Sequence, residues 1–185
     1  SLVGSEMCIR DRLNYMRRQS LGVRTDRILV VKFPGPTEGM KIKMEAMRKA
    51  IRKLPLVSKV TCSGSVPGEE VAMFLSNRRT HDALKQNRLY EMLSCDPDYM
   101  DAYGLELVAG RGFSEDYGDD VNKLVINETA ARTLGYTDYE SVIGEEISVE
   151  TIEEPMQVIG VVKDYHQQAL NRNYTPCLLY TSPSP

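Results

Sequence analysis

The chain has 185 residues, of which 42% are hydrophobic and 26% charged, with a formal net charge of -3. That is the composition of an ordinary globular domain. It excludes a protein that relies on a strongly basic surface to hold nucleic acid. No apolar run approaches the roughly 20 residues of a membrane helix.

The two ends stand apart from the rest. Cys177–Pro185 back-translates into DNA whose reverse complement, in a shifted frame, encodes Val3–Asp11. The shared DNA word looks like a transposase sequencing adapter. Ser1–Arg12 and Cys177–Pro185 are therefore expected to lie outside the fold. The remaining body, Leu13–Pro176, reads as a fragment long enough for one domain or two small subdomains. It keeps two of the four cysteines, Cys62 and Cys95, which read as small buried apolar side chains. Spacing alone does not say whether they meet.

Leu13–Gly22 reads as the end of a helix, residues 13–23, with Gly22 at its C-terminal cap. Arg27–Phe33 is a compact β-rich run and predicts a buried strand. After Pro34-Gly-Pro36, Thr37 is a candidate N-cap. Met40, Met44, Met47, Ile51 and Leu54 then recur at helical steps and mark the core-facing side of an amphipathic helix. Pro55 stops that helix, and Val57–Ser63 reads as a second strand. Residues 24–63 thus predict a strand–helix–strand unit with short connections.

Further along, Val66–Glu69 is a turn and Val71–Leu75 a short strand. Asn77–Asn87 is polar and predicts an exposed excursion. Arg88–Ser94 reads as a strand. Asp96 is placed to cap a short helix that has Pro97 at its first position and Gly104 at its end. Gly110–Phe113 is a glycine turn, and Ser114–Asp120 an acidic, solvated loop. Lys123–Ile126 predicts a strand, after which Asn127 caps the helix Glu128–Leu134, closed by Gly135. Glu146–Ile152 and Met156–Lys163 form a hairpin, the first strand alternating apolar and polar residues so that one face is exposed.

Catalytic and metal-binding patterns find little support. The acidic loop Glu115–Asp120 lacks the ligand alternation of a calcium hand. His81 and His166, the two histidines, have no partners at metal-ligand spacing. Gly110-Arg-Gly112 lacks the third glycine and the setting of a dinucleotide site. Asn127-Glu-Thr129 matches a glycosylation sequon but is explained by its cap role. An Asp164–His166 hydrolase pair is the weakest enzymatic reading. No catalytic residue, metal ligand or cofactor site is assigned.

Several stretches together resemble a known family. They are Leu13–Met16 with Leu21-Gly22, Val66-Pro-Gly68, Cys95–Tyr99, Gly104–Phe113, Val125–Arg132, Ile143-Gly144 and Val158–His166. Their order and spacing are similar to the periplasmic core domain of MacB-like ABC transporter permeases, of the MacB/FtsX-like type. The resemblance implies an α+β fold, with a porter-like βαβ portion over residues 24–63 and a strand-rich portion over 64–176. It also implies motifs that set turns and cores, with no active site. By the same resemblance the domain stands on the periplasmic side of a bacterial inner membrane. A cytoplasmic ABC ATPase would act on it through a membrane part, in a permease dimer, with a periplasmic or outer-membrane partner protein. Its expected work is to transmit ATP-driven motion to export or lipoprotein-release cargo. The alternative is a free-standing periplasmic ligand-binding or sensor module, which would need a concave, partly apolar pocket.

Overall fold

The computed structural model describes residues 22–33, 39–71, 73–81, 87–114, 116, 120–167 and 173–181. Chain-order labels are α1 (Met40–Arg52), β1 (Phe74–Arg79), β2 (Arg88–Ser94), α2 (Tyr99–Tyr103), β3 (Leu107–Gly110) and β4 (Lys123–Asn127). They continue with α3 (Glu128–Thr133), a 3-10 turn at Glu140–Val142, β5 (Glu146–Val149), β6 (Met156–Val162) and β7 (Cys177–Tyr180). The fold is α+β and dominated by one sheet.

The strands run in the order β3-β6-β4-β7-β2-β1-β5, and a further β5–β6 pairing joins the far end back to the second strand. Six strands are thereby closed into a ring, and β3 extends it along β6. Closure gives each of the six ring strands a partner on both sides, which limits the exposed edges that would otherwise invite pairing with another chain, and leaves β3 paired on one side. Most neighbours are antiparallel, but β2–β7 and β4–β6 are parallel.

Alternation along the strands divides the apolar residues between two faces. Tyr90, Met92, Leu124, Ile126, Val158 and Leu178 go to one core, with Ala130 and Ala131 of α3. Leu93, Val125, Ile159, Val162 and Leu179 go to the other, covered by Tyr99, Met100 and Tyr103 of α2 and by Tyr165. Each fully buried side chain of this size contributes roughly 1.5–3 kcal/mol. The two cores together hold the ring.

The β3–β6 crossing explains two of the glycines. Gly110 sits opposite Gly160 in the register, and Gly110 has a left-handed backbone, φ 66°. A Cβ on Gly160 would come within 2.1 Å of the Arg111 carbonyl oxygen, and one on Gly110 within 2.3 Å of the Ile159 carbonyl oxygen. The two backbones approach too closely for any side chain between them.

Several expectations hold. Arg88–Ser94 is β2 at the predicted bounds, Gly104 ends α2 with φ 64°, and Asn127 accepts a hydrogen bond from the Ala130 amide at the start of α3. The hairpin forms, although β5 stops at Val149 instead of continuing to Ile152. Ile147 and Val149 are buried while Glu146 and Glu150 are exposed.

Other expectations are corrected. Arg27–Phe33 and Val57–Ser63 are not strands. The described residues give them no ladder beyond a single bridge from Ser63 to Cys95. β propensity needs a partner edge to become a strand, and here Leu29 stays 88% exposed. Gly39, in left-handed backbone at φ 76°, precedes α1; Thr37 lies outside the described residues. Leu54, expected in the core, is exposed. The Val71–Leu75 strand begins instead at Phe74 and runs to Arg79. Asn77, expected in an exposed excursion, is fully buried, with its Nδ2 donating to the Leu75 carbonyl at 2.9 Å. Residues 177–180, expected outside the fold, form β7, hydrogen-bonded on both sides between β2 and β4. Four consecutive apolar or aromatic residues there meet two open strand edges.

Candidate functional site

Two polar constellations organise the surface around the ring. The first ties the start of α3 to the end of β6. The Asp164 carboxylate accepts from the Thr129 amide at 2.8 Å, the Thr129 hydroxyl at 2.8 Å and the Arg132 guanidinium at 2.5 Å. The Asp164 amide donates in turn to Glu128 at 2.9 Å. The Asp164 hydrogen bond raises the Arg132 guanidinium pKa further above its ordinary value. Asn127 completes the knot: its Oδ1 accepts from the amides of Ala130 and Cys177, and its Nδ2 donates to the Thr175 carbonyl. Gly22 is pressed against the same place, where a Cβ would lie 3.1 Å from the Asp164 carbonyl oxygen. Stretches that carry the resemblance, Asn127–Thr129 and Asp164–His166, are thus brought together by the fold.

The second constellation is a charged seam. Asp96 was expected to cap α2, but Asp98 occupies the N-cap position without a side-chain cap bond. Asp96 turns the other way. Its Oδ1 accepts from the Thr61 hydroxyl at 2.5 Å, and its Oδ2 from the Cys62 amide at 2.9 Å and from Arg48 Nη1 at 2.8 Å. The Asp96 amide donates to the Cys62 carbonyl at 3.0 Å. The Arg48 and Asp96 side chains are only 16% and 14% exposed, so this pair is largely shielded from solvent. More exposed pairs flank it: Arg52 with Asp98, Lys59 with Asp101, and Arg24 with Asp101 at 3.8 Å. Basic groups of residues 24–59 therefore lie along an acidic edge formed by Asp96, Asp98 and Asp101.

A third pairing corrects the solvated-loop expectation. Asp120 is 7% exposed and takes Arg111 through two bonds at 2.8 and 3.0 Å, with the Ser114 amide at 3.2 Å. The Arg111 bonds hold its carboxyl below the usual carboxylate range, against the opposing effect of burial.

The enzymatic pieces are not brought into one site. The Asp164 carboxylate is engaged by α3, whereas the His166 ring lies against the Tyr174 ring, centroids 4.5 Å apart. His81 faces Glu146 at 3.5 Å on an exposed edge. No cluster of three or more metal-ligating side chains occurs among the described residues. Cys62, Cys95 and Cys177 are free thiols. Ser63, next to Cys62 in the chain, stands opposite Cys95 in an isolated bridge. Burial raises the Cys95 thiol pKa well above its ordinary value and that of Cys177 to about 12.

The seam was missed in the sequence because its partners lie as many as 77 residues apart. The only local sign was a basic face on α1 and three aspartates around Pro97.

Comparison with known proteins bears on this arrangement. A family described as MacB-like periplasmic core domain matches residues 9–182. The chain belongs to that family. Solved structures share the fold. The periplasmic region of MacB from Actinobacillus actinomycetemcomitans is 20% identical, with a TM-score of 0.51 over 85% of this chain and 58% of that one. The extracellular domain of the noncanonic ABC-type transporter YknZ from Gram-positive bacteria is 18% identical, with a TM-score of 0.52 over 74% and 61%. This chain therefore spans less than two thirds of either. No curated protein matches. As a MacB-like periplasmic core domain, the chain is an extracytoplasmic part of an ABC-type transporter permease. Among the described residues no helix is long and apolar enough to cross a membrane.

Proposed function

We propose that this MacB-like domain is a mechanical part of its permease, standing on the outer side of the membrane and passing on ATP-driven motion to export or lipoprotein-release cargo. The observation that carries the reading is the family match across residues 9–182, combined with a ring whose sheet has both faces packed. A closed ring with two cores resists bending, which suits a body that must relay displacement without absorbing it. The polar knots at Asp164 and Asp120 link loops and helix α3 to that ring and stiffen it further.

The implied partners are a cytoplasmic ATPase acting through membrane helices, a second permease copy, and a periplasmic or outer-membrane protein that receives the motion. The domain itself would carry out no chemistry. The test is recovery of the complete gene, followed by a transport or lipoprotein-release assay on the assembled complex with this domain present or deleted. The reading expects membrane-crossing segments on both sides and loss of transport, with ATP hydrolysis retained by the ATPase. A complete gene encoding a secreted polypeptide without any bilayer-crossing stretch would overturn it.

A further inference from the structure

Among the described helices, the attachment of α1 to the ring differs from that of α2 and α3. α2 and α3 place Tyr99, Met100, Tyr103, Ala130 and Ala131 in the two cores. None of the described apolar side chains of α1 belongs to either core; Met44, Met47 and Ile51 are only half-buried, and Ile42 is 76% exposed. Two ion pairs tie α1 to the body, Arg48 on Asp96 and Arg52 on Asp98. Contacts of this polar kind between parts of a chain permit relative motion.

Arg48 also has a second partner on its own helix. Glu45 Oε2 lies 3.3 Å from Arg48 Nε, one helical turn back. If α1 lifts from the ring, Arg48 keeps a carboxylate, and Asp96 keeps the Thr61 hydroxyl and the Cys62 amide. Neither charge is stranded, so opening avoids the main penalty of breaking a shielded ion pair.

We infer that α1 is a strap, closed on the end of β2 by the Arg48–Asp96 pair and opened by transfer of Arg48 to Glu45. The strap is a part of this fold in its own right. Its use, to take up motion entering from a membrane anchor, rests on the mechanical function proposed above.

The chain carries its own reporter of the opening. Cys62 is half-buried and held at the seam through its amide, while Cys95 is buried beyond it. Burial and the neighbouring Asp96 raise the Cys62 thiol pKa, which slows its reaction while the strap is closed. Losing the Arg48 charge by itself would raise that pKa further. Faster labelling of an Arg48 variant must therefore come from exposure.

The experiment uses the whole chain with Cys8→Ser, follows maleimide labelling of each cysteine by mass spectrometry, and compares the parent with Arg48→Gln and Arg48→Lys. Raising salt from about 0.1 to about 1 M shortens the screening length from roughly 10 to roughly 3 Å. The expected result is Cys62 labelling several-fold faster in high salt. Arg48→Gln should react about tenfold faster than the parent, the effect of losing one charged hydrogen bond, and should respond little to salt. Arg48→Lys should recover part of the protection, and Cys95 should stay slow throughout. Labelling of Cys62 that ignores both salt and Arg48→Gln would overturn the strap. So would joint exposure of Cys62 and Cys95, because the seam would then open only by general unfolding. The readout needs neither membrane nor nucleotide, so its failure leaves the permease function standing. A secreted full-length gene would remove that function and leave the strap untouched.

Discussion

Residues 24–62 and the ring from Ser63 onward contain similar sequence signals and come to different ends. Arg27–Phe33 is as β-prone as Lys123–Asn127, yet Leu124, Val125 and Ile126 are fully buried while Leu29 is 88% exposed. The difference is the availability of partner edges. β4 has β6 on one side and β7 on the other; residues 28–33 have no ladder partner among the described residues. Propensity sets which segments can be strands, and pairing decides which ones are. The consequence is two modes of attachment in one molecule. The ring is held by apolar burial, whereas α1 lies outside both cores and is tied to the ring by ion pairs.

The largest effect is expected from opening the ring. Deleting residues 177–181 separates β2 from β4 and uncovers both cores. Loss of the cooperative thermal transition in circular dichroism is expected, because Leu178 and Leu179 are buried on opposite faces. A deletion variant that melted like the parent would show that β7 lies outside the stable ring.

A smaller but still large effect is expected at the β3–β6 crossing. Gly160→Ala places a methyl 2.1 Å from the Arg111 carbonyl oxygen. Relief requires moving backbone, so a loss of about 1–3 kcal/mol in a urea titration is expected. An unchanged midpoint would mean that the two strands can separate freely.

Asp120 gives a pH-dependent effect of comparable or lesser size. Its folded carboxyl lies below the ordinary value near pH 4. Its stabilisation is therefore complete above about pH 4 and is lost as pH falls through the folded value. Asp120→Asn should cost about 1–3 kcal/mol at neutral pH. The parent and variant unfolding curves should converge in acid. A gap that persisted unchanged at pH 2 would assign the loss to packing instead of charge.

The smallest effect is expected in the N-terminal layer. Leu56 is 98% exposed, so Leu56→Ser should shift stability by no more than about 0.5 kcal/mol in the same titration. A change of core size would show that this layer is packed after all.

Features that depend on neighbouring residues were legible in the chain alone. β2, the Asn127 cap, Gly104 at the end of α2 and the β5–β6 hairpin follow from alternation, side-chain capping and glycine geometry within a few positions. The order of these signals also carried the family, through motifs such as Gly110 and Gly160 whose common purpose emerges where they meet. Which edges pair, the closure of the sheet into a ring, and its completion by residues 177–180 emerged in the folded molecule. It alone turned Asp96 from a cap into the hub of a seam and drew Asp120 out of solvent. These outcomes turn on contacts between residues distant in the chain, where local pattern is silent and the competition is won by whichever partner the folded backbone brings within hydrogen-bonding reach.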